Sequence, residues 1–207
     1  MSTTHPDLTR TEIIDGALRE YEDFAALVAS LSDAEWQAAS RCEGWEARDV
    51  AGHVIGLAED VAKGVPGSRN ADEEAASIRI LSPAEAAGHL TAALEGIRAL
   101  TDALDDDAVW SAPSPVPDLT MGEGILTLWY DTYVHAEDIR DAAGRPPAKG
   151  AGLGAAVAYL EAELTKQGWS GTVADEVAPH DFVLAATGRI DPGPLGLDDT
   201  VNIYRAP

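Results

Sequence analysis

The chain has 207 residues, 45% of them hydrophobic and 24% charged, which suits one globular domain with a well-formed core and a small C-terminal addition. Its 36 acidic residues against 14 basic ones give a formal net charge of -22, which repels nucleic-acid phosphates and anionic membrane surfaces and excludes both as partners. No apolar run reaches the roughly 20 residues that cross a bilayer, MSTTHPDLTR has no signal-peptide core, and Cys42 has no second cysteine to pair with, so a soluble cytoplasmic protein is expected.

From Thr9 to Leu31, Ile13, Ala17, Leu18, Tyr21, Phe24, Val28 and Leu31 recur at helical spacing, which predicts an amphipathic helix of bundle length. Ser32, Asp33 and Glu35 cap a short helical turn ending near Ala39. The 40–44 loop delivers Trp45 to a second helix, 46–63, stopped by Gly64, Pro66 and Gly67. Residues 65–74 read as an exposed connection followed by a short helical stretch through Arg79. Ser82-Pro83-Ala84-Glu85 is a capping box with proline at the first helical position, and Leu90, Leu94, Ile97, Leu100 and Leu104 follow it as a third core helix.

A long connection, 105–119, holds three consecutive Asp residues and three prolines and is placed to cover one end of a bundle. Thr120-Met121-Gly122-Glu123 opens a fourth helix, which Gly144, Pro146 and Pro147 stop. The prediction is an all-α fold: an antiparallel four-helix bundle over residues 1–148. Residues 149–207 form a short mixed extension packed on it, with helices at 150–167 and 181–187 and a brief extended segment at 201–204. Gly122-Glu123-Gly124 is too short for a dinucleotide or phosphate loop.

Within the fourth helix, WYDTYVHAEDIRDAA (129–143) sets Asp131, His135 and Asp138 on one stripe while Ile125, Leu128, Trp129 and Ile139 cover the other sides. A carboxylate buried there requires a cation or a donor, and a divalent metal satisfies it while also using neutral His135. His53, in the middle of the second helix, is the candidate third ligand. Two imidazoles and one carboxylate leave coordination positions open, as in catalytic and not in structural sites.

Plainer readings stand beside this one. An Asp and a His at i, i+4 also make a simple helix contact. Asp49 and His53 share that spacing, so a triad drawing on Asp49 stays open, although Asp49 at a helix start also serves the dipole. Asp138 is placed to be a supporting acceptor for His135. Trp45 staples the helix start to the core or lines the pocket. Cys42 reads as a packing residue, with no cationic or His neighbour evident to lower its pKa. His5, His89 and His180 are weak ligand candidates: the first lies in a terminus, and the others lack a carboxylate at suitable spacing.

The run Cys42-Glu43-Gly44-Trp45-Glu46-Ala47-Arg48-Asp49-Val50-Ala51-Gly52-His53 resembles the C-x-G-W-x-x-R-D-V-x-x-H segment of the mycothiol-dependent maleylpyruvate isomerase-like proteins, in the DinB-like superfamily. Asp131 through Gly144 is similar to that family's E-x-x-x-H-x-x-D-x-x-x-A-x-G segment, and Ala185-Ala186-Thr187-Gly188-Arg189 is similar to a stretch near the end of many relatives. The resemblance spans roughly residues 8 to 148. It implies a DinB-like bundle in which His53, Asp131 and His135 hold a divalent metal, usually zinc, with mycothiol as cosubstrate.

This sequence departs from the family at Asp131, where Glu is common. The shorter side chain brings the metal closer to the helix or binds it more weakly. The family's isomerase also carries a larger C-terminal domain than the residues after 148 supply, so the resemblance points to thiol chemistry more broadly than to maleylpyruvate isomerisation. The function so implied is a zinc-dependent transferase or isomerase that adds a low-molecular-weight thiol to an electrophilic small molecule, or uses the thiol to isomerise one. A metal-dependent hydrolase of a small amide or ester, and a catalytically silent metal-binding or regulatory bundle, are the alternatives. Exposed apolar helix faces leave a homodimer open.

Overall fold

The structure, a computed structural model, describes residues 8–205; His5 lies outside them. Among the described residues the fold is all-α: α1 (Arg10–Ala29), α2 (Asp33–Trp36), α3 (Ala47–Ala62), α4 (Ala71–Ser77), α5 (Pro83–Thr101), α6 (Asp107–Trp110), α7 (Met121–Ala142), α8 (Ala151–Lys166) and α9 (Pro179–Ala186). No helix among them is long and apolar enough to cross a membrane.

Local chemistry sets the helix starts. Thr9, Ser32, Asn70, Ser82 and Thr120 each accept from the backbone N–H three residues on, where a Glu side chain reaches back to the cap. Each reciprocal pair satisfies two backbone donors that helix geometry leaves over. The same pairing at Glu46 and Asp49 starts α3.

Four long helices form the bundle, with α1 and α3 each packed against both α5 and α7. Gly16 lies under Trp129, while Ser30, just past α1, accepts from Arg145, just past α7 (2.7 Å), so α1 and α7 run in the same direction. Glu59 meets His89 and Ala62 meets Gly96, so α3 and α5 are also parallel to each other. Arg41 donates to the Glu137 carbonyl at 2.8 Å while His53 faces Asp131, so α3 runs against α7. The antiparallel arrangement is therefore up-down-down-up. Two parallel neighbours need a connection that returns along the bundle, and the 63–82 stretch containing α4 makes that return on the outside of α3.

Tyr21, Phe24, Val28, Val50, Ile55, Leu90, Leu94 and Ile139 fill the main core. Trp110 from α6 joins Ile13, Leu104, Ile125 and Trp129 at one end, so the proline-rich connection does cover the bundle there. The C-terminal segment packs Leu160 and Leu164 of α8 and Phe182 and Val183 of α9 onto Tyr130, Tyr133 and Val134 of α7. The extended segment expected at 201–204 is absent: Asp199–Val201 is a 3-10 turn capped by Asp198, and only the Ile203 N–H reaches a neighbouring backbone, the Ala186 carbonyl. Among the described residues no strand lies beside it to make a ladder. Among the described residues the β-bridges are isolated pairs, Ala39 with Glu46 and Pro113 with Thr120.

Candidate metal centre

At the facing surfaces of α3 and α7 the structure brings together His53, Asp131 and His135. One ligand atom from each lies within 4.8 Å of the others. Asp131 Oδ2 is 3.6 Å from His53 Nε2, and Asp131 Oδ1 is 3.5 Å from His135 Nε2. Zinc bonds of about 2.0–2.1 Å at tetrahedral angles separate ligand atoms by roughly 3.3–3.4 Å; the two distances are of that order, each made to a different oxygen of Asp131. The imidazoles meet edge to face with centroids 5.0 Å apart.

Each ring is backed by a second carboxylate. Glu74, from α4, accepts from His53 Nδ1 at 2.7 Å, and Asp138 accepts from His135 Nδ1 at 3.0 Å. With Nδ1 engaged by its carboxylate, each ring turns its Nε2 toward the site. Burial works against a charged His53, yet Asp131 and Glu74 outweigh it and hold the ring at about 10. Burial likewise opposes ionisation of Asp131, but His135 and His53 keep its carboxyl below the usual range. A metal entering the centre therefore displaces a proton.

Asp138 is fully buried and Arg189 closes on it with two hydrogen bonds, from Nε at 2.7 Å and from the terminal nitrogen at 2.6 Å. Burial alone would raise the Asp138 pKa, but His135 and Arg189 hold it well below the usual carboxylate range. Cys42 donates to Asp138 at 3.2 Å and lies 4.0 Å from His135 Nδ1. The expectation that Cys42 has no His or cationic neighbour is corrected: His135 and Arg189 are both near it. Burial first, and then the Asp138 charge, still push the thiol up to about 12, so it stays neutral. Cys42, His135 and Asp138 are also close enough to share a metal. A cation there would meet the Arg189 guanidinium and an un-ionised thiol, so the His53, Asp131 and His135 set suits it better.

The remaining candidates fall into place around this centre. Trp45 packs at a tilt against His53, centroids 5.7 Å apart, and its indole donates to Asp72 at 3.2 Å, so it lines the site as well as seating the start of α3. Asp49 lies elsewhere: it caps α3 through the Glu46 N–H and binds Arg79 at 2.7 Å, which removes the triad that draws on it. His89 and His180 do have carboxylates, supplied from other helices: Glu59 at 2.9 Å and Glu137 at 3.6 Å. Glu74 and Arg189 are the site residues that spacing did not identify. Arg189 had a signal in the Ala185–Arg189 stretch, whereas Glu74 sits in a polar connection with no pattern of its own.

Fold and site together define an all-α bundle with a two-histidine, one-carboxylate candidate metal centre between its second and fourth long helices. The sequence profile of the mycothiol maleylpyruvate isomerase N-terminal domain matches residues 17–140, and the chain belongs to that family. The crystal structure of the mycothiol-dependent maleylpyruvate isomerase is similar, with TM-score 0.62 and 18% identity over 83% of this chain and 77% of that one. A histidine-to-alanine mutant of that isomerase is similar too, with TM-score 0.56 and 20% identity over 84% and 77%. Identities this low speak for the fold alone, which this chain shares with that isomerase. The similarity covers more of the chain than residues 1–148 can supply, so it is not confined to the bundle but runs into the C-terminal helices. No curated protein gives a significant sequence match.

Proposed function

We propose that this protein is a zinc-dependent enzyme that uses mycothiol or a related low-molecular-weight thiol, transferring it to an electrophilic small molecule or using it to isomerise one. The observation that carries the reading is the convergence of His53, His135 and Asp131, with both imidazoles oriented by buried carboxylates. His53 and His135 would hold the metal through Nε2 and Asp131 through its carboxylate. A zinc ion held by two neutral ligands and one anion supplies Lewis acidity that favours thiolate over thiol at neutral pH.

The chain's own groups serve that chemistry by position. Asp138 and Glu74 fix the rings, Arg189 neutralises Asp138 so that its charge does not compete for the metal, and Trp45 covers one side of His53. Cys42, kept neutral by burial and by Asp138, does not compete with an incoming thiol.

Metal analysis of the purified protein beside His53→Ala and Asp131→Ala, followed by calorimetric titration of the zinc-loaded protein with mycothiol, tests this reading. Stoichiometric zinc in the parent, its loss in both variants and saturable thiol binding are expected. Full zinc retention by both variants would sink the ligand set. Zinc binding without thiol binding, together with ester or amide turnover, would favour a hydrolase instead. Loss of zinc in His135→Ala with no change in any measured activity would point to a silent binding module.

A further inference from the structure

The return connection between α3 and α5 is built around one contact. Gly52 and Gly56 flank His53 on α3, and α4 lies directly on them. A Cβ at Gly52 would stand 2.5 Å from the Ala75 carbonyl oxygen, and one at Gly56 would stand 2.8 Å from the Glu74 Cβ. Two glycines one turn apart thus let a second helix approach at backbone distance. Glu74 lies on the face of α4 that enters this seat, and its side chain is only 4% exposed. It has one hydrogen-bonded ring partner, His53 Nδ1 at 2.7 Å.

The flanks of the connection are tied to the same face. Arg69 binds Asp60 with two hydrogen bonds, at 2.7 and 2.9 Å, and donates to the Gly56 carbonyl at 2.7 Å. Asp72 accepts from Trp45 at 3.2 Å. Seven residues are too few for a helix to persist alone, so α4 keeps its shape by docking, and docking buries a carboxylate. An acid buried for packing alone would cost free energy with nothing in return. The His53 ring is what that acid meets.

We propose that Glu74 is the positioning residue for His53. It fixes the ring with Nε2 toward Asp131 and His135, and the Gly52–Gly56 seat for α4 exists to deliver it. The two imidazoles are then oriented from opposite sides of the fold, His53 by a helix of the α3–α5 connection and His135 by an acid that Arg189 of the C-terminal segment holds. A corollary is reciprocal: whatever holds His53 at the centre also holds α4 against α3. This inference rests on the zinc reading above.

Zinc affinity by competition with a chromophoric chelator, the visible spectrum of the cobalt(II)-substituted protein, and hydrogen exchange over residues 71–78 with and without zinc test it on the full chain. Glu74→Ala is expected to weaken zinc 10- to 100-fold and to change the cobalt spectrum. Glu74→Gln, which retains a carbonyl acceptor for Nδ1–H, should recover part of both. Zinc should slow exchange over 71–78 in the parent, and Gly52→Ala, which displaces α4, should abolish that protection. Glu74→Ala binding zinc within twofold of the parent, with an unchanged cobalt spectrum, would overturn the proposal. If that occurs while Asp131→Ala has lost zinc, only the role of Glu74 falls. A parent protein that takes up no zinc would bring down the metal reading and this one together.

Discussion

Arg189 and Asp138 form a two-pronged ion pair across 51 residues of sequence, with the guanidinium 11% exposed and the carboxylate not exposed at all. It joins the loop after α9 to the C-terminal part of α7, and so ties the C-terminal segment to His135. Removing one partner of such a pair leaves an uncompensated buried charge, which costs about 3–5 kcal/mol. Arg189→Met should lower the unfolding free energy in urea by that amount. Adding Asp138→Asn to it should recover part of the loss, because the stranded charge is then gone. Equal stability of Arg189→Met and the parent would show that the pair does not hold the segment in place.

Asp131 is tested by lengthening it. One of its oxygens sits 3.6 Å from His53 Nε2 and the other 3.5 Å from His135 Nε2, so an added methylene pushes the carboxylate past its position between the two rings. Asp131→Glu is therefore expected to weaken zinc about tenfold, equivalent to about 1.4 kcal/mol, and Asp131→Ala to lose it. Chelator competition measures both. Tighter binding by the Glu variant would mean that the helices stand further apart in the metal-bound state than in this structure.

Glu20 makes stability depend on pH. Burial raises its carboxyl to about 7 despite the hydrogen bond from Trp129. A carboxyl with a raised folded pKa favours the native state while protonated, so its contribution is complete in acid. It is lost as pH climbs from the ordinary carboxylate range through about 7. Between pH 5 and 8 Glu20 should cost roughly 2–3 kcal/mol. Glu20→Gln, which keeps an acceptor for the indole, should gain stability over the parent at pH 8 and not at pH 5. An equal difference between the two proteins at both pH values would contradict this.

Gly16 is required by packing. The Trp129 ring lies where a Gly16 Cβ would be, and Trp129 is itself buried between α1 and α7. Gly16→Ala should gain about 1 kcal/mol from helix propensity at an unhindered site. Here it must move the indole, with overpacking of about 1–3 kcal/mol and loss of the bond to Glu20. A fall in thermal midpoint, not a rise, is the expected result.

Most of what was legible in the sequence is local in origin. Capping boxes such as Ser82 with Glu85 and Thr120 with Glu123 act over three residues, so the helix starts follow from composition alone. Asp131 and His135 share a face because of helical geometry, and their pairing needs no tertiary information. His53 was reached by its place on another amphipathic helix and by family resemblance. The short helices α4 and α6 carry too few apolar positions to show a period, which is why the start of α4 read as part of an exposed connection ahead of a short helical stretch, and α6 as part of a long one.

Tertiary structure decided the rest, through contacts between residues far apart in the chain. Asp131 and not Asp49 faces His53 across the centre because of which face of α3 meets α7, and Asp49 is paired instead with Arg79. The parallel placement of α3 beside α5 sends the 63–82 connection back along the bundle, and only that path brings Glu74 to His53. The carboxylate of Asp138 is neutralised by an arginine 51 residues further along the chain. By itself the sequence determined an all-α bundle and the donor types at its centre, because helix caps and side-chain periodicity act over a few residues. The partner that orients each histidine was set only by which surfaces the packed helices bring into contact.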